Sequence, residues 1–204
     1  TAAKDGRPQL ASPADLKDKT IGVVLGSAHD TWAATAYPNA TILQFASGAD
    51  LILAVKTGKV NAGLFDEVPL RERMREDDSL GILGASLFSF SVGVGFSKDA
   101  VELRQNFNRF LSQIKQNGVY ADMVDRWIGK HEFRMPKIDH PNPNGVLIVA
   151  SSMGGPPFGF LQNNQPLGFD VELSERFAAF LGKEVKFSDM QFGGLIAAVS
   201  SGKA

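Results

Sequence analysis

Ile21-Gly-Val-Val-Leu-Gly-Ser-Ala28 holds the decision about the fold. Ile21–Leu25 is apolar apart from Gly22, and a run this short and β-branched reads as a buried strand. Gly26-Ser27 then turns the chain into a helical pattern reaching about Ala36, with Ser27 at the capping position. The same alternation recurs twice downstream. Thr41–Phe45 reads as a strand, followed by a helix over Ser47–Thr57, where Leu51, Ile52 and Val55 share a face and Gly58 stops it. Val60–Phe65 reads as a third strand ending at Asp66, and Val68–Arg75 as a charged surface helix. Upstream, Ser12-Pro13 opens a short helix. Three strand–helix repeats predict an α/β fold with a parallel sheet and crossover helices. Such sheets take ligands beyond the carboxyl ends of their strands, where Ser27 and Asp66 both fall.

Further along, Phe90–Phe96 alternates apolar and small residues and reads as a strand. Ala100–Gly118 is an amphipathic helix with Leu103, Phe107, Phe110, Leu111 and Ile114 on one face. A shorter helix follows over Val119–Ile128. Residues 129–144 contain three prolines and two asparagines and read as a linker. Strand–helix order then restarts. Val146–Ala150 is a strand, and 151–164 a long Gly- and Pro-rich loop. Phe169–Leu181 is a helix burying Phe177, Ala178, Phe180 and Leu181, Glu184–Phe187 a strand, and Phe192–Ser201 a last helix. The expected division is 1–90, 91–128, the linker 129–144, and 145–204.

Composition removes several function classes. Hydrophobic residues make up 44% and charged residues 21% of 204, with a net charge of −1. Nucleic-acid binding needs clustered excess Lys and Arg, so it is not expected. The absence of Cys excludes disulfides, thiolate zinc sites and Cys nucleophiles. No stretch reaches the ~18 apolar residues of a spanning helix. Thr1-Ala-Ala-Lys4 lacks the apolar core of a signal peptide, and Ser200–Ala204 follows a helical pattern with no closing element. Both ends read as cut.

The Gly26-Ser27-Ala28-His29 turn is the best candidate site. Free N–H groups at a helix start attract anions, and a small Gly-Ser pair lets a carboxylate approach. The competing reading is an ordinary Ser cap. Asp66, at the same end of the sheet, would supply a carboxylate for an ammonium group, its competing reading being a helix cap. Together the two offer what a zwitterion requires. Gln44, His29 and Asp30 are candidates for tuning selectivity. Phe158, Phe160 and Phe192 follow strands and would stack on a ligand side chain, unless they pack inward. Catalysis finds little support. Ser27, His29 and Asp30 are too close in sequence for a triad, and Gly26-Ser27-Ala28 is not a nucleophile elbow. No metal-ligand spacing occurs, and no cofactor is expected.

Taken together these stretches resemble the family 3 extracellular solute-binding proteins, amino-acid receptors of ABC importers. Ser12–Ser27 looks like the start of that family's second lobe, and Val60-Asn-Ala-Gly-Leu-Phe-Asp66 like its strand ending in an ammonium-binding Asp. Residues 91–99 and the two helices to Trp127 look like its closing strand and helices. Residues 146–204, with Leu167-Gly-Phe-Asp-Val-Glu-Leu173, look like its opening lobe. The resemblance implies a type II periplasmic-binding-protein fold with two parallel-rich sheets flanked by helices and one lobe incomplete. It also implies capture of a polar amino acid between lobes, a permease partner, and a periplasmic or extracellular location, tethered to a membrane through a larger parent. A receptor's ligand-sensing domain and an enzyme of dehydratase or transglycosylase type are the alternative functions. The chain departs from the family in two ways. The order of segments is inverted, and the Thr-x-x-Arg segment that grips the ligand carboxylate does not follow Gly202. Either the chain joins the back half of one tandem copy to the front of the next, or it is a permuted module. A dimer exchanging 146–204 is a candidate assembly.

Overall fold

The computed structural model describes residues 2–3 and 10–204; Thr1 and residues 4–9 lie outside them. The chain forms two compact units. One comprises residues 1–92 with 191–193, and the other residues 93–190 with 194–204.

In the first unit, β1 (Ala2–Ala3) precedes a 3-10 turn over Pro13–Leu16, which opens where the Asp15 carboxylate accepts the Ala11 and Ser12 N–H groups. Then come β2 (Thr20–Val24), α1 (Ala28–Ala36), β3 (Thr41–Phe45), α2 (Gly48–Lys56), β4 (Ala62–Gly63), α3 (Glu67–Glu76) and β5 (Leu80–Gly81). The sheet runs β3-β2-β4, all parallel, with Thr20 opposite Thr41 and Ile21 opposite Ala62. β1 and β5 form a separate antiparallel pair. The ladder at β4 is shorter than Val60–Phe65 predicts, although Asn61 N and Leu64 N still donate to Thr20 and Gly22 carbonyls.

Strand alternation sorts β2 between two cores. Ile21 and Val23 face Ala33 and Tyr37 of α1 with Leu16 and Leu64. On the opposite face Gly22 meets α2. A Cβ there would lie 2.4 Å from a Leu51 methyl, so the glycine lets this helix sit directly on the strand. Ile52 and Val55 of α2 continue that core with Val60, Leu70 and Leu80. Each fully buried aliphatic side chain contributes about 1.5–3 kcal/mol, so these two layers hold the sheet.

In the second unit, α4 (Val101–Gln116) and α5 (Val119–Val124) lead into a π-type turn, Asp125–Gly129. After residues 130–145 come β6 (Val146–Ser151), β7 (Phe160–Gln162), β8 (Gln165–Leu167), α6 (Phe169–Phe180), β9 (Glu184–Asp189), a 3-10 turn at Phe192–Gly194 and α7 (Leu195–Ser200). β6 and β9 pair in parallel from Val146 opposite Glu184 to Ser151 opposite Asp189. Phe107, Phe110 and Ile114 of α4 interlock with Phe177 of α6, and Leu147 packs on them. Met123 and Trp127 join Phe169 in a second cluster. Glu172 is fully buried there. Its carboxylate accepts the Trp127 indole N–H at 2.7 Å, Arg126 Nη2 at 2.8 and 3.0 Å, and Arg176 Nε at 2.8 Å.

Five sequence expectations need correction. Phe90–Phe96 is not a strand. Its alternation is real, but among the described residues no ladder partner faces it, and Val92 is 90% exposed. The helix at 119–128 changes to the wider turn after Val124. Phe180 is 42% exposed rather than buried. The loop 151–164 contains β7 and the start of a hairpin. Asn163 and Asn164, at φ 51° and 62°, make its two-residue tip, a conformation asparagine tolerates. Finally, 129–144 has little regular structure but is no free linker. Phe133 stacks on Trp127 at 6.2 Å and meets Phe160 edge-on at 5.6 Å, and Met135 packs on the same cluster.

Candidate functional site

Because β2 and β4 are neighbours and parallel, the turns leaving them emerge at one end of the sheet. The first carries Gly26-Ser27 and the second Asp66. Gly26 has φ 74°, a left-handed conformation that glycine adopts without cost. Ser27 caps α1, its Oγ accepting Asp30 N–H at 3.3 Å. The Asp30 carboxylate reaches back to accept Gly26 N–H at 3.0 Å. Gln44 Nε2 in turn donates to both Asp30 oxygens, at 3.0 and 2.8 Å. Gln44 and Asp30 therefore hold the turn in shape. The Ala28 and His29 N–H groups start the helix, where no carbonyl one turn back can accept them, and the Ser27 hydroxyl proton remains available to donate.

Asp66 occupies the cap position of α3, yet its side chain makes no capping hydrogen bond. The carboxylate is 55% exposed, and its nearest charged neighbour is His29 Nε2 at 3.8 Å. His29 itself is buried between the rings of Phe88 and Phe90, at 5.5 and 5.6 Å. Trp32 stacks on Phe88 at 4.5 Å. This aromatic wall beside Asp66 was missed in the sequence. The signals were present: Trp32 lies three residues after His29 on one helix face, and Phe88 and Phe90 alternate on one side of an extended segment.

Burial pushes the His29 imidazole below its ordinary 6.5, and the Asp66 charge pulls the other way. Below pH 6.5 the unfolded chain binds a proton that the folded ring resists. The first unit is therefore expected to keep its stability above that pH and lose it as pH falls toward the lower folded value. Denaturant midpoints between pH 7 and 5, read from Trp32 emission against a Trp32→Phe blank, check this. Asp66→Asn should steepen the loss, and His29→Gln should remove it.

The remaining expected site residues sit elsewhere. Phe158 and Phe160 belong to the second unit and pack on its Met123–Trp127–Phe169 cluster, Phe158 meeting Phe169 at 6.4 Å. Phe192 is 43% exposed, in the short segment 191–193 that groups with the first unit. A groove of about 410 Å³ flanks β3 and α2, lined by Gln44, Phe45, Asp50 and Lys59, and one of about 290 Å³ lies between α4 and α6. Neither includes Ser27 or Asp66. Among the described residues no group of three or more His, Asp or Glu side chains is placed to hold a metal.

Residues 147–204 match the family of bacterial extracellular solute-binding proteins, family 3. Over that stretch the chain is similar to the family 3 solute-binding proteins. The arginine-binding periplasmic protein of Mannheimia haemolytica is 31% identical over 119 residues, covering 55% of this chain and 50% of that protein. The lysine/arginine/ornithine-binding periplasmic protein of Escherichia coli K12 is 28% identical over 135 residues, covering 61% and 52%. A mutant of ArgBP from T. maritima superimposes with a TM-score of 0.57 at 24% identity, covering 63% of this chain and 56% of its own. That last likeness is one of fold, and it is the type II periplasmic-binding-protein fold. The chain spans about half the length of the curated relatives it matches.

Proposed function

We propose that the chain binds a polar amino acid outside the cytoplasm for ABC-type import, without chemical turnover. The observation that carries this is the half-exposed Asp66 carboxylate, free of any capping hydrogen bond and set beside a serine-capped helix start at one end of a parallel sheet. Asp66 takes the α-ammonium group. The Ser27 hydroxyl, with the amides of Ala28 and His29, takes the α-carboxylate, and Gly26 leaves room for it. Phe192 is held in reserve as a wall residue, while Phe158 and Phe160 serve the second unit's core. Arginine and lysine are the first ligands to test, because the relatives above are named for them and a cationic side chain suits an aromatic wall.

Packing of α4 and α5 with 146–190 in one unit supports the reading of the inverted segment order as a permuted module. The permease partner and the extracytoplasmic location belong to the same proposal.

Calorimetry against the twenty amino acids tests binding. The expected result is heat from arginine or lysine, with affinity falling 10- to 150-fold or so in Asp66→Ala, the worth of a hydrogen bond to a charged group. No heat from any of the twenty would overturn the proposal.

A further inference from the structure

Residues 88–96 read Phe-Ser-Phe-Ser-Val-Gly-Val-Gly-Phe. They lie outside every helix and ladder, and among the described residues no backbone N–H or carbonyl of residues 89–96 has a hydrogen-bond partner in the chain. The segment is nonetheless held at both ends. Phe88 and Phe90 flank His29, and Phe96 packs on Phe107 at 5.5 Å. Between these anchors Val92 and Val94 stand bare, 90% and 51% exposed.

An unpaired row of backbone groups on an apolar run is a template for another strand. Proteins blunt such edges with proline or charge, and residues 79–97 contain neither. The glycines point the same way. A Cβ added at Gly93 or Gly95 would meet nothing within 4 Å, so packing within the chain does not call for glycine there. Glycine in an extended run leaves room for a second backbone to come close.

We propose that residues 88–96 are a dimerisation strand, which pairs antiparallel with the same residues of a second copy about a two-fold axis at Val92. The sequence itself selects this partner. Opposite residues of an antiparallel pair share a face. With Val92 opposite Val92, Phe90 meets Val94 and Phe88 meets Phe96, so all five apolar side chains find apolar partners. Ser89 and Ser91 then face Gly95 and Gly93. An axis at Gly93 would set Phe88 against Lys98, and one at Ser91 would set Phe96 against Ser86. The pairing is self-complementary, closes at two copies, and needs no exchange of residues 146–204.

One strand pair is smaller than a standard interface of about 1,600 Å², so sedimentation equilibrium is measured from about 10 μM to about 1 mM, the range of weak complexes. The wild type should pass from monomer to dimer. Val92→Lys or Val92→Asp alone should weaken association on the order of tenfold, because like charges would face each other across the axis. An equimolar mixture of the two variants should recover it. Val92 is exposed, so the circular dichroism of each variant should match the wild type. The chain has no cysteine of its own, which makes cross-linking clean. With diamide as oxidant Val92→Cys should form a disulfide dimer, since opposite Cα atoms lie about 4.5–5.5 Å apart, within disulfide reach. Val94→Cys should not, because residue 94 opposes residue 90 and the two copies of residue 94 lie about 14 Å apart. A wild type monomeric throughout overturns the proposal, as do charged variants that associate like the wild type, or equal cross-linking of the two cysteine variants.

Discussion

Replacing Gly168 with alanine should destabilise the second unit by more than ~3 kcal/mol. Gly168 has φ 131°, a region an L side chain rarely enters. An added Cβ would stand 2.0 Å from the Phe158 carbonyl oxygen and 2.5 Å from its carbon, both backbone atoms. The loop cannot simply retreat. Pro157 and Phe158 carbonyls accept the Phe169 and Asp170 N–H groups, both at 2.9 Å, and so satisfy the opening turn of α6. Moving the loop strips that cap as well as shifting Phe158 off its cluster. Gly182→Ala is the control. It too has positive φ, 66°, but nothing lies within 4 Å of its Cβ position, so only a backbone cost of about 1 kcal/mol is expected. Urea unfolding followed by Trp127 emission in a Trp32→Phe background separates the two. Equal midpoints for the two variants would contradict the close-approach argument.

Glu172→Ala should cost a comparable ~3–5 kcal/mol, the usual penalty for removing one member of a buried ionic cluster. The loss falls on the partners. Trp127 keeps a buried indole N–H with nothing to accept it, and Arg126 and Arg176 are left facing each other across the gap. Arg126 retains Asp122 at 2.8 Å and can turn outward, which limits the damage. Glu172→Gln should cost less than the alanine variant, because a carbonyl oxygen still accepts from the indole. Because the carboxylate is fully buried, 1 M salt should leave the difference between wild type and variant nearly unchanged. The same Trp127 unfolding curves decide it. An alanine variant within 1 kcal/mol of wild type would show that the cluster contributes little to stability.

The first unit was readable because its first two sheet strands are short, mostly apolar runs that exit into serine-capped helices. Ile21–Leu25, Thr41–Phe45 and the serines at 27 and 47 each specify local structure that packing does not override. Phe90–Phe96 failed for the opposite reason. Alternation says which side chains would share a face, but a strand exists only where a neighbour completes its hydrogen bonds. The prolines of 129–144 correctly exclude a helix. They are silent on Phe133, whose place on Trp127 is a contact between residues that no local pattern relates. At the site, Ser27 and Asp66 were legible as strand exits. The clasp of Gln44 on Asp30, and the ring of His29 between Phe88 and Phe90, depend on contacts between residues 14 to 61 apart along the chain.

The interlock of α4 with Phe177 bears on how the polypeptide is made. A ribosome delivers Phe107 and Phe110 well before the ring that covers them, which arrives roughly 70 residues later. At about 5–20 residues per second the nascent helix waits several seconds with its aromatic stripe bare. Trp127 waits likewise for Glu172. The sheet of the first unit can close meanwhile, since among the described residues none of its strand partners lies beyond residue 81. Newly made chains stalled between these two points would be the species most in need of a chaperone.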